Sequence, residues 1–250
     1  MEIARRKFQG VLNILSFNRH FYYAGIAFLA AILLVGYWLH LPHIVLLLIL
    51  TAFIYGLVMP LIISAYVYDF SGYYNFKWLQ QCDINNSDTT HIVNINAGFD
   101  ETSFILQQHF PQAALNVFDF YNAKQHTEPA IIRARKVSDT FPNTRSIETN
   151  NIPLATGTAD IVFLLSAAHE IRNHDEKIIF LKECHRICKP NGKVIMVEHL
   201  RDFSNFAAFS IGFTHFFSSK VWQQAFKSAN FSTLKEIKFT PFMSIFICKP

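Results

Sequence analysis

The sequence predicts an α/β fold, a three-layer sandwich preceded by two transmembrane helices. Three observations carry this. Two long uncharged runs open the chain. From His91 onward, strand-like and helix-like stretches alternate. The end reads as a two-stranded hairpin around Thr240-Pro241.

Composition sets the outer limits. Of 250 residues, 51% are hydrophobic and 16% charged, against roughly 25% charged in an average soluble domain. That excludes disordered, collagen-like and low-complexity chains. The net charge is +4. Arg5, Arg6, Lys7 and Arg19 stand against Glu2 in the first twenty residues, which leaves the remainder close to neutral. No basic face for nucleic acid is expected. The four cysteines, Cys82, Cys184, Cys188 and Cys248, form no disulfide framework. Cys184 and Cys188 read as two thiols on one helix.

Phe21 to Leu41 carries no charge, and 21 residues of helix span about 31 Å, close to a bilayer core. After Pro42-His43, a second uncharged run covers Ile44 to Ile63. So short a break makes the two helices an antiparallel hairpin. A signal peptide is excluded by the length of the first run and the immediate second one. A buried soluble pair would carry a polar stripe, and these runs have none. The basic amino terminus places residues 1–20 in the cytoplasm, and two spans return the chain to that side. Residues 64–250 are then expected to be cytoplasmic, in accord with unpaired thiols.

The aromatic run Tyr66 to Leu79 reads as an interfacial segment at the membrane surface, interrupted at Ser71-Gly72. Residues 83–90 read as a linker. The expected organisation is a basic terminus (1–20), a hairpin (21–63), an interfacial segment and linker (64–90) and a catalytic-type domain (91–250).

Within that domain, 91–95 is a strand. Phe99 to Phe110 has helical spacing and stops before Pro111, and 114–119 is a second strand. Glu128 to Lys136 reads as helix and Arg145 to Glu148 as a short third strand. Residues 159–166 are strongly strand-like, and Glu176 to Cys188 is an amphipathic helix ended by Pro190-Asn191-Gly192. A strand at 193–199 follows, then a helix capped by Ser218 and running to Ala229. Strands at 231–239 and 242–248 complete seven. In such sheets ligands lie beyond the carboxyl ends of the strands. That selects residues 96–100, 119–121, 166–170 and 198–202.

Four segments in order resemble the class I S-adenosylmethionine-dependent methyltransferases, in particular the type 11-like domain. IVNINAGFDE (92–101) resembles the first-strand glycine turn, and LNVFDF (115–120) the second strand ending in an acid. ETNNIPLATGTADIVF (148–163) resembles the acidic segment before the fourth strand. FLKECHRICKPNGKVIMVEH (180–199) resembles the helix, turn and fifth strand. The resemblance covers roughly residues 90–250 and implies a Rossmann-like, mostly parallel seven-stranded sheet with S-adenosylmethionine as cofactor. It implies a cofactor set of Asn94, Asn96, Gly98, Asp119, Phe120, Glu148 and Ser166. Asp119 stands where the family's acid holds the ribose hydroxyls. Glu148 matches the acid near the adenine, or else is a solvated loop carboxylate. The chain departs from the pattern at Asn94, Asn96 and Asp100, where the family has an acid and two glycines.

Methyl transfer to oxygen, nitrogen or sulfur needs an aligned acceptor and a proton acceptor. His169, Glu170, Glu198 and His199 end the fourth and fifth strands, and His215 follows in an aromatic insertion. His169 or His199 is the expected base, with Glu170 or Glu198 orienting it. His169, His199 and Glu198 are also of metal-ligand type, but spacing across different strands does not test that, and no metal is expected. The expected partners are the lipid bilayer and a hydrophobic small-molecule substrate such as a quinone, phenol or lipid-like acceptor. Two other readings stand beside this one. One is a different transfer from the same cofactor to a membrane quinone. The other is a membrane scaffold with a decayed cofactor site.

Overall fold

A computed structural model describes residues 6–84, 89–126, 129–136 and 140–250. Helix α1 spans Gln9–Trp38 and α2 His43–Ser64. At about 1.5 Å per residue, α1 measures about 45 Å, well beyond a hydrocarbon core of about 30 Å. The excess is its first three turns, and these dock on the domain. Phe17 packs edge-on to Phe99 at 5.3 Å, and Asn13 Nδ2 donates to Glu101 Oε1 at 3.0 Å. The first helix therefore starts earlier than its uncharged run. The two helices pack as a hairpin, with Gly36 against Leu41 and Leu46 and Gly25 against Leu57. Arg5 lies outside the described residues.

The chain continues from α2 through a π-helical turn, Ala65–Phe70, and a 3-10 turn, Lys77–Gln81. Here the structure corrects the sequence reading. Val67, Tyr73, Phe76, Trp78, Leu79 and Cys82 are buried in the domain core, not spread over a membrane surface. Trp78 lies against Phe163 at 6.1 Å and donates from Nε1 to the Tyr73 carbonyl at 3.0 Å.

The strands are β1 (His91–Asn96), β2 (Ala114–Asp119), β3 (Arg145–Ser146), β4 (Ala159–Leu165), β5 (Cys188–His199), β6 (Thr233–Thr240) and β7 (Met243–Lys249). They form one sheet in the order β3-β2-β1-β4-β5-β7-β6. β7 runs antiparallel to both its neighbours, and every other neighbouring pair is parallel. The helices are α3 (Ser103–His109), α4 (Pro129–Ala134), α5 (His174–Ile187), α6 (Phe203–Phe209) and α7 (Ser219–Ser228). The chain moves outward one way from β1 to β2 and the other way to β4, so the switch point lies between β1 and β4.

Side chains alternate across the sheet. Val162 and Leu164 join a core with Phe180, Leu181 and Cys184 of α5 and Trp222 and Phe226 of α7. Ile161, Phe163 and Leu165 join a second core with Leu106 of α3, Ala208 of α6 and Trp78. Residues 67–82 thus supply cover on a face that, among the described residues, otherwise has the two short helices α3 and α6.

Several boundaries differ from the sequence reading. α5 ends at Ile187, and Cys188 already begins β5, so the two thiols sit on different elements. β5 runs through Pro190 because the register with β4 shifts between Ala159 and Ile161. Gly192 fits there because a Cβ would meet the Asp160 carbonyl at 2.8 Å. α3 is shorter than expected, because Asp100 accepts from the Thr102 and Ser103 amides and fixes its start. Ser218 caps α7 through Val221 N.

Candidate active site

Two groups of residues gather at the carboxyl edge of the sheet. The first lies at the ends of β1 and β2, where Asn96 and Asp119 are register partners. Gly98 turns the chain with φ +82, a conformation that glycine adopts without strain. Asn96 Oδ1 accepts from Gly98 N at 2.7 Å, while its buried Nδ2 has no partner. Asp119 Oδ1 accepts from Tyr121 N at 2.8 Å, and Oδ2 accepts from Arg135 Nη1 at 2.7 Å. Arg135 also donates to the Ala97 carbonyl at 2.9 Å and covers the Tyr121 ring at 4.1 Å. Its guanidinium crosses directly over Gly98, where a Cβ would sit 1.4 Å from Nη1. Asn96, Gly98, Asp100, Asp119, Arg135, Thr140, Phe141 and Thr144 line a cleft of about 60 Å³.

These residues fit an adenosine-type cofactor in their chemistry. Asp119 offers a carboxylate to ribose hydroxyls, Asn96 a buried free donor, and Gly98 close backbone approach. The cleft is small because Arg135 occupies it, so binding requires that side chain to leave Asp119. The other residues of the expected set are placed elsewhere. Asn94 donates inward to Thr102 Oγ1 at 3.1 Å and Ser103 Oγ at 2.8 Å, tying β1 to α3. Phe120 is buried between His126 and Phe180 and is core. Glu148 bridges to Asn151 and does not line the cleft. Ser166, at φ 50, meets the Tyr73 hydroxyl at 3.1 Å.

The second group lies at the ends of β4 and β5. His169 Nδ1 is 2.7 Å from Glu198 Oε2, and its Nε2 is 3.4 Å from Glu170 Oε1. His215 Nε2 approaches the same Glu170 oxygen at 3.7 Å. Arg172 Nη1 donates to the carbonyls of His169 at 3.3 Å and His215 at 2.5 Å, which joins the two loops. Burial alone would push the His169 ring down, but the adjacent Glu198 and Glu170 carboxylates outweigh it and hold the ring up at about 10. Burial would raise the Glu170 carboxyl, but contacts from His169 and His215 hold it down at about 2. At neutral pH His169 is therefore a cation between carboxylates. It is not the free base expected from the sequence.

His199 is the opposite case. Burial pushes its ring down to about 4. Nδ1 faces two acceptors, Asn205 Oδ1 at 3.1 Å and the Phe242 carbonyl at 3.0 Å, so Nδ1 carries the proton. Nε2 then accepts from the Tyr68 hydroxyl at 2.8 Å. His199 also stacks on Phe216 at 4.9 Å. It joins the hairpin's stalk to the sheet edge and stands apart from the His169 group. Sequence reasoning missed Arg135, Tyr68 and Tyr73. The two tyrosines stood in an aromatic run that pointed to lipid, and no local signal marked Arg135.

The family described as a methyltransferase domain matches residues 112–196. No characterised protein matches the chain by sequence. Among solved structures, an S-adenosylmethionine-dependent methyltransferase from Aquifex aeolicus is similar at TM-score 0.52 and 14% identity, over 74% of this chain and 92% of that one. Human N-acetylserotonin methyltransferase in complex with S-adenosylmethionine is similar at 0.51 and 14%, over 77% of this chain and 54% of that one. A putative O-methyltransferase from Nostoc punctiforme gives 0.50 and 14%, over 69% and 55%. The domain shares the Rossmann-like fold of these S-adenosylmethionine-dependent methyltransferases. Two helices long and apolar enough to cross a membrane precede it.

Proposed function

We propose that this chain is a membrane-anchored methyltransferase whose acceptor is a hydrophobic small molecule: a quinol, a phenol or a lipid-like hydroxyl compound. One observation carries the reading. The segment leaving the hairpin contacts the ligand edge of the sheet, through Tyr68 to His199 and Tyr73 to Ser166. An acceptor dissolved in a bilayer around the hairpin therefore has a short path to the site.

Three further facts support it. Only 6% of the apolar window of each long helix is buried, unlike core helices of a soluble protein. Phe203, Phe206 and Ile211 are exposed on α6 and the turn after it. That apolar patch adjoins α2, whose Tyr55 hydroxyl donates to the Ala207 carbonyl at 2.5 Å. The cations of residues 1–20 favour a cytoplasmic amino terminus, and with it a cytoplasmic domain.

When bound, S-adenosylmethionine supplies an electrophilic methyl carbon and its own sulfur as leaving group. Asp119 and Asn96 are the residues to hold it, once Arg135 releases Asp119. His169 serves as a fixed cation, oriented by Glu198. An acceptor hydroxyl set against that cation ionises more readily, its proton passing to solvent, and the oxyanion is the stronger nucleophile that takes the methyl group as the cofactor's sulfur leaves. His199, neutral and fully bonded, positions Tyr68.

The test uses full-length protein in lipid nanodiscs, labelled S-adenosylmethionine and an extract of membrane lipids. Label should enter the organic phase on a product one CH2 heavier than its acceptor. The double variant Phe203→Asp, Phe206→Asp should slow transfer from bilayer-borne acceptors about tenfold and leave cofactor binding unchanged. A product carrying a different group would overturn methyl transfer. Equal rates in the double variant would overturn entry from the bilayer.

A further inference from the structure

We propose that His169, Glu170 and His215 bind a divalent first-row transition ion such as zinc or iron(II). The three ligand atoms, His169 Nε2, Glu170 Oε1 and His215 Nε2, lie within 4.8 Å of one another. The contacts of 3.4 and 3.7 Å to Glu170 are long for hydrogen bonds. They match the spacing of donors sharing one ion, because two ligands at about 2.1 Å in tetrahedral array stand about 3.4 Å apart.

The surroundings have the features of a prepared site. His169 Nδ1 stays bonded to Glu198 at 2.7 Å, and an ion displaces the proton that Nε2 otherwise holds toward Glu170, so the bound ion takes over the positive charge described above for the His169 ring. Glu170 is 4% exposed, and its Oε2 is buried without a hydrogen-bond partner. An uncompensated carboxylate oxygen is costly in the interior, and a cation relieves that cost. Arg172 holds both ligand loops through the His169 and His215 carbonyls, so the ligands are set before an ion arrives. Two imidazoles and one carboxylate suit zinc, iron(II) or cobalt(II) better than calcium or magnesium, which prefer all-oxygen sites. Three protein ligands leave a coordination position open. A hydroxyl oxygen of an acceptor could take that position, where the ion would polarise it. The binding itself does not depend on methyl transfer.

The experiment treats full-length protein in detergent with chelator and then titrates it with cobalt(II) alone, read by visible absorption, and with zinc(II) alone, read by calorimetry. One ion per chain is expected, with the intense visible bands of four- or five-coordinate cobalt(II). Glu170→Gln and His215→Ala should each weaken binding about 100-fold. Glu198→Gln, which never touches the ion, should weaken it about 10- to 100-fold. His43→Ala, at the far end of the hairpin, should have no effect. His215→Cys keeps a ligand and should add a thiolate-to-cobalt charge-transfer band, a signal that decides the matter even if the other variants fold poorly. The proposal is overturned if wild-type protein takes up no stoichiometric ion. Unchanged affinity in Glu170→Gln and His215→Ala, or bound cobalt without the thiolate band in His215→Cys, would also overturn it.

Discussion

His169 and His199 end neighbouring strands, yet their environments drive them apart. Two carboxylates face His169 and keep it charged, while His199 faces an amide, a carbonyl and a phenol and stays neutral. The second case makes a pH prediction. The unfolded ring titrates near 6.5 and the folded ring near 4. Between those values the unfolded chain binds more protons, so stability falls as pH drops from 6.5 to 4. The His199 share of that loss is on the order of 3 kcal/mol. His199→Gln should be less stable at pH 7 but show a shallower acid limb in denaturant titrations. An acid limb as steep as wild type would contradict the assignment. At this scale the sequence was informative where a residue ends a strand. That rule put Asp119, His169 and Glu198 at the carboxyl edge of the sheet, where the structure has them. Arg135 was missed, because a residue after α4 reaches Asp119 and Gly98 only when the chain folds back over the β1 turn. The gathering of His169, Glu170 and His215 was equally hidden, since the last comes from a separate insertion.

At the scale of elements, alternation and helical spacing located the seven strands of the described sheet, though β5 begins at Cys188, five residues before the expected start, and runs through the Pro190-Asn191-Gly192 read as a turn. The segment from Tyr66 to Leu79 was misread for a physical reason. Aromatic side chains interleaved with a few polar groups suit a membrane interface and equally suit a sheet face that lacks a helix. Only the count of covering helices on each face separates the two, and that needs the topology. Trp78 is the test. It is fully buried between the stalk and β4, so Trp78→Ala should cost about 3–5 kcal/mol of stability. Tyr23→Ala, on an exposed turn of α1, should cost far less. Comparable melting temperatures for Trp78→Ala and wild type would restore the surface reading.

At the scale of the molecule, hairpin and domain are joined by Phe17 to Phe99, Asn13 to Glu101, Tyr55 to Ala207 and the buried stalk. The hairpin thus holds a defined edge of the sheet toward the proposed bilayer. The order of motifs revealed the fold and pointed to the proposed cofactor. It could not reveal that the candidate cleft is closed by the Asp119–Arg135 ion pair, which is the feature on which the proposed activity turns. The direct measurement is calorimetric titration of the full-length protein in detergent with S-adenosylmethionine, beside Asp119→Ala and Arg135→Ala. The account predicts one-to-one binding by wild type and its loss in Asp119→Ala. It also predicts binding about tenfold tighter in Arg135→Ala, since the cofactor no longer competes with a charge-assisted bond worth roughly 1.5–3 kcal/mol. Absence of binding in both wild type and Arg135→Ala would contradict it, and would leave a membrane-held scaffold in place of an enzyme.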